Sequence, residues 1–334
     1  MKFRPILLTA AAAIVFTACS SGAATTAPAT PAPASQAPSD SPMASMEPSM
    51  APSPATGGDV MTDTAAADLR VALNNKLGAH LIFASKATGA ALGGRNNEFA
   101  AYGTLLNTNG TDLGEMIGSV YGAEAKDAFN KIWSAHNGFF VDYTTGVATK
   151  DMAMQDKAVE NLTTVYVPQF SALIAGATGL PEDAVTGLVT EHVLQTKAVV
   201  DAQAAKDDAA AYAAIRTAYA HMSMIGDALA GAIVAQNPDK IAGDPNNAGV
   251  DLRVGLNQLL QEHLYLASFA TGSALGGRAD EFAAAGGALN TNGTDVGAAI
   301  GSLYGDEAKD AFNKIWSAHN GFFVDYTTGV ATKD

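Results

Sequence analysis

The 334-residue chain carries 33 acidic and 19 basic side chains, a formal charge of −14. That balance excludes nucleic acid as a partner, because no Lys/Arg cluster is present to replace phosphate counterions. The only cysteine is Cys19, which excludes a disulfide framework. If Cys19 is consumed by lipidation, any metal site must be built from His, Asp, Glu, Met or backbone oxygen.

Residues 1–18 combine Lys2 and Arg4 with an apolar run from Ile6 to Phe16 and the small pair Thr17-Ala18. This is the layout of a signal peptide, and Cys19 directly after it makes a lipobox, with Phe16 an unusual first member. The expectation is cleavage before Cys19, lipidation there, and a mature chain anchored to a membrane of the cell envelope, outside the cytoplasm. Residues 19–66 are rich in Ala, Pro, Ser and Thr and too poor in apolar bulk to offset ordering entropy, so a flexible tether is expected. Met43, Met46 and Met50 within it are soft ligands suited to Cu(I), although methionines in such a tether are more often incidental. No second stretch reads as long and apolar enough to span a bilayer.

From Asp68 onward the chain is dominated by duplication. Asp68-Leu69-Arg70-Val71 returns as Asp251-Leu252-Arg253-Val254, an offset of 251 − 68 = 183, and Glu124–Asp151 returns unchanged as Glu307–Asp334. A fainter repeat links His80, His136 and His192 at equal spacing (136 − 80 = 192 − 136 = 56). Apolar residues fall at helical spacing around each histidine, as in Leu73, Leu77, His80, Leu81 and in Phe129, Trp133, His136, Phe140. No alternating strand is found. Asn107-Thr108-Asn109-Gly110-Thr111-Asp112 reads as a turn into a helix capped by Thr111 or Asp112. Pro181, followed by Glu182 and Asp183, opens another helix, and Gly93-Gly94 ends one. The expected fold is all-α: an antiparallel bundle over 67–240 with four main His-bearing helices and shorter ones alongside, a linker over 241–250, and a partial second copy over 251–334.

All six histidines lie on these stripes. His80, His136, His192 and His221 are expected to converge from four helices on one ion. Di-iron bundles need a Glu three residues before a His, and Leu77, Trp133, Val189 and Ala218 stand there instead. A His-rich, carboxylate-poor, thiol-free set suits copper, with zinc the alternative. Asp142 and Tyr143 are candidate supports for such a site. The second copy supplies His263 and His319, a possible second site completed by another chain or partner. No Gly-x-Ser-x-Gly elbow, phosphate loop or complete EF-hand is present.

Residues 133–144 (Trp-Ser-Ala-His-Asn-Gly-Phe-Phe-Val-Asp-Tyr-Thr) and 191–202 (Glu-His-Val-Leu-Gln-Thr-Lys-Ala-Val-Val-Asp-Ala) resemble repeats of bacterial envelope lipoproteins with copper amine oxidase-like helical repeats. With its tether and lipobox the chain is similar to copper-only superoxide dismutase subunits of carotenoid-binding S-layer complexes. The resemblance covers about 67–334. It implies copper cycling between Cu(II) and Cu(I) on His80, His136, His192 and His221, superoxide dismutation in oxidative-stress defence, and an S-layer or other envelope complex as partner. Copper storage or delivery, and a non-catalytic structural subunit, are the alternatives. A homo-oligomer through 251–334 is the further expectation.

Overall fold

A computed structural model describes residues 61–333; the expected signal peptide, Cys19, nearly all of the expected tether and Met43, Met46 and Met50 lie outside the described residues. The described residues are predominantly helical, without strands. They form α1 (Ala65–Leu92), α2 (Asn96–Tyr121), α3 (Ala123–Thr149), α4 (Met152–Asn161), a π-helical turn (Leu162–Tyr166), α5 (Val167–Thr178), α6 (Glu182–Ala205) and α7 (Asp208–Gln236). The second copy contributes α8 (Ala248–Leu275), α9 (Ala279–Tyr304) and α10 (Asp306–Thr332).

Local chemistry marks most of the boundaries. Thr64, Asp151 and Asp207 accept from the N–H groups of Ala67, Met154 and Ala210, capping α1, α4 and α7. Ala65 and Ala66, expected in the tether, are the first turn of α1, and Ala66 is buried. Pro181 precedes α6 as expected. The link between the copies is a loop over 237–247, so α8 begins inside the expected linker.

Residues 107–112 are not a turn: they lie in the middle of α2, itself 26 residues long and no short accessory helix. Tertiary contacts override the local turn preference of these residues. Asn109 donates from Nδ2 to the Lys76 carbonyl at 2.9 Å, and Asp112 pairs with Lys76 at 2.7 Å. Gly110, Gly114 and Gly118 form a stripe without side chains against which Trp133, Asn130 and Lys126 of α3 lie. A Cβ on Gly110 would sit 2.8 Å from Trp133 Cδ1, so only glycine permits this approach.

The fainter internal repeat proves to be a helical hairpin. Its turns use left-handed residues at the same spacing, Gly94 (φ 67°), Lys150 (φ 59°) and Lys206 (φ 58°). The hairpins are α1/α2, α3/α4–α5 and α6/α7, with α4, the π turn and α5 running on without a break. Each helix packs on the next around a closed six-membered ring, α7 returning to α1. The outgoing helices α1, α3 and α6 therefore run the same way and meet at the centre. Repeat-related positions are buried together: Leu73, Phe129 and Val185; Leu77, Trp133 and Val189; His80, His136 and His192.

The second copy repeats the helix lengths 28, 26 and 27 of α1, α2 and α3. It packs on the first through α1 and α8, which lie parallel and in register. Arg70 bonds Asp251 at 2.5 Å while Arg253 bonds Asp68 at 2.6 Å, a reciprocal pair across a local two-fold. Ala67, Val71, Val250 and Val254 form the apolar contact between them, and further along Lys86 Nζ lies 4.0 Å above the Phe269 ring. Leu266, Phe269 and Ala285 join the first copy's core, so the second copy is no separately tethered body.

Contrary to the sequence expectation, one helix, α7, is long and apolar enough by composition to cross a membrane. More than half of its apolar window is buried against neighbours, chiefly α1 and α6.

Candidate metal centre

Three of the four expected histidines meet. His80 of α1, His136 of α3 and His192 of α6 are buried, with imidazole centroids 5.3, 6.1 and 6.3 Å apart. One ring nitrogen from each lies within 4.8 Å of the other two. This follows from the hairpin repeat: a residue recurring once per hairpin occupies the same height and face on each parallel inner helix. His221 does not join them. It sits on α7, which returns in the opposite sense, and its Nε2–H donates to the Leu188 carbonyl at 2.8 Å. It is still near enough to His192 to disfavour protonation there.

A backbone carbonyl sets the tautomer of His136. A carbonyl only accepts, so the 2.5 Å contact between His136 Nδ1 and the Trp133 oxygen places the proton on Nδ1. His136 Nε2 then presents a lone pair, 3.4 Å from Nε2 of His80. His80 Nδ1 is buried without a hydrogen-bond partner. A buried unsatisfied nitrogen of this kind costs on the order of 1–3 kcal/mol. His192 Nδ1 is 3.5 Å from the Thr196 hydroxyl.

Burial also controls charge. Desolvation lowers His136 to about 4 and His192 to about 3, and neighbouring His136 and His221 lower His192 further. His80 is held well below its usual range, first by desolvation and then by His136 and His192. All three are therefore neutral near pH 7, the form that ligates metals. No carboxylate or thiolate belongs to the cluster.

Aromatic side chains close the site. Tyr166 stacks on His136 with centroids 4.6 Å apart and planes 15° off parallel, and Trp133 packs 4.5 Å from His80. Tyr166 was not foreseen. It ends the π turn, whose wider winding accommodates an extra residue, and Pro168, which lacks an N–H, follows closely. The Tyr-Val-Pro run was the available signal. Neither expected support reaches the histidines: Asp142 is exposed, and Tyr143 donates to Asp201 at 2.5 Å. A cavity of about 30 Å³, lined by Leu77, Trp133, Tyr166, Phe170, Val189 and His192 among others, adjoins the cluster.

No family model, curated protein or solved structure matches the chain. The chemistry of the site therefore rests on its own geometry. The second copy brings His263 and His319 together with centroids 5.7 Å apart, and Trp316 stands 4.6 Å from His263 as Trp133 does from His80. Among the described residues no third ligand joins that pair.

Proposed function

We propose that the protein is a copper-holding protein of the cell envelope, with the ion bound by His80, His136 and His192. The observation that carries this is the convergence of three buried, neutral imidazoles without an anionic group. The cost of burying an ion rises with the square of its charge, so a divalent ion pays about four times what Cu(I) pays in such a pocket. Three nitrogen donors without charge compensation thus fit Cu(I) better than Zn²⁺. Nε2 of His136 and Nε2 of His80 face each other at 3.4 Å, so both can turn a lone pair to one cation. The Trp133 carbonyl holds His136 in the tautomer that presents Nε2, and the Tyr166 and Trp133 rings exclude water.

Superoxide dismutation is the second reading, favoured by the resemblance of 133–144 and 191–202 to the envelope repeats and by the small cavity beside His192. A bound copper would supply an electron shuttled between its two oxidation states. The cavity, large enough for a water-sized molecule, is where a diatomic substrate would approach. Lipidation at Cys19 and docking to an S-layer or other envelope complex complete the proposal.

Copper per chain, affinity against a Cu(I) chelator and superoxide consumption, measured on one preparation, test both readings. His136→Ala is expected to abolish tight copper binding, whereas His221→Ala should retain it. Full retention in His136→Ala refutes the site; tight Cu(I) without superoxide consumption leaves holding alone. Cys19→Ala is expected to move the protein from the membrane to the soluble fraction, and continued association after salt washing would refute the anchor.

A further inference from the structure

The two copies share residues but not surroundings. Leu77 and Leu81 of α1 are 4% and 0% exposed, while their counterparts Leu260 and Leu264 of α8 are 47% and 65% exposed. Tyr143 of α3 is 3% exposed and Tyr326 of α10, in an identical stretch of sequence, is 70% exposed. Three helices, α8, α9 and α10, form half of the ring that α1 to α7 close. The His263–His319 pair stands at its open centre.

The first ring says what fits this half. There α3 is flanked by the antiparallel α4–α5, so the edge left bare at α10 calls for a helix running the opposite way, which a second copy of α10 supplies. The ring also alternates direction at every step. Two half rings related by a two-fold perpendicular to the helices continue that alternation: α8 up, α9 down, α10 up, then α10, α9 and α8 of the partner copy down, up and down. A two-fold along the helices would set parallel helices side by side instead. The exposed aromatic and leucine side chains amount to roughly 500 Å² per copy, at about 150–250 Å² for each aromatic. Doubled by symmetry, that reaches the roughly 1,000 Å² expected of a specific interface.

We infer that the α8/α10 face is the dimer interface of this protein, and that His263 and His319 from both copies enclose a second metal site on the two-fold axis. The interface rests on burial and sequence identity alone. The choice of copper as its ion rests on the reading proposed for the first centre.

The test uses the full chain, measured by light scattering and by native mass spectrometry after Cu(I) loading. A dimer holding three coppers is expected, one in each closed ring and one shared. Leu264→Lys combined with Tyr326→Lys should give a monomer with one copper and unchanged helicity. His319→Ala should leave the dimer and remove only the shared ion, and His136→Ala should remove only the ring ions, so failure of either site is seen separately. A monomeric wild-type chain overturns the proposal, including one in which hydrogen exchange shows α10 covered by another segment of the same chain. A dimer that survives the double Lys variant, or three coppers retained in His319→Ala, overturns it equally.

Discussion

Acid should unfold the metal-free protein through its buried histidines before its carboxylates titrate. His136 and His192 have folded pKa values near 4 and 3, against about 6.5 in an unfolded chain. Between those limits the unfolded state binds more protons, so stability is complete above about pH 6.5 and falls as pH drops towards the folded values. At pH 5 each histidine protonates freely only when unfolded, which costs about 2 kcal/mol apiece relative to pH 8. The pair removes about 4 kcal/mol, and His80, shifted the same way, adds to the loss. Domains of this size have about 5–15 kcal/mol in total, so the effect is large. Denaturant unfolding of the metal-free protein, followed by circular dichroism between pH 8 and 5, measures it. His192→Leu removes one of these sites and should flatten the profile by about 2 kcal/mol over that range. A wild-type stability constant within about 1 kcal/mol, or a variant with the wild-type slope, would refute the claim that these imidazoles are folded neutral.

Two further outcomes follow from packing and ion pairing. Gly110→Ala should destabilise by about 1–3 kcal/mol, because Trp133 is buried and cannot retreat from the new Cβ. Gly103→Ala, in the same helix with open space around it, should stabilise by about 0.5–1 kcal/mol, and equal effects in thermal melts would disprove the close α2–α3 approach. Arg70→Ala removes bonds to Asp227, Asp251 and the Pro245 carbonyl, so cleavage by protease in the 237–247 loop should accelerate several-fold; an unchanged rate would deny Arg70 its part in joining the copies.

Much of the fold was legible because helices announce themselves locally. Apolar spacing, the Pro181 start and the Gly93-Gly94 stop are properties of a few neighbouring residues, and each falls at or within a residue or two of an observed helix end. The long and short repeats were equally plain, and the short one already grouped His80, His136 and His192. What the spacing could not convey was direction. His221 shares the apolar stripe and the burial of the others, yet lies on a helix running the opposite way, so its Nε2 meets a carbonyl. The Asn107–Asp112 run failed for a related reason. Its turn preference is worth little beside the bonds from Asn109 and Asp112 to Lys76 and the fit of Gly110 on Trp133, and those partners are distant in sequence. Tyr166 reaches His136 only through a π turn that leaves no periodic mark. By itself, then, the sequence determined the helices, the duplication and the repeating histidine. Only tertiary structure decided which imidazoles share a centre and which leucines are covered, because both depend on how the hairpins close into a ring.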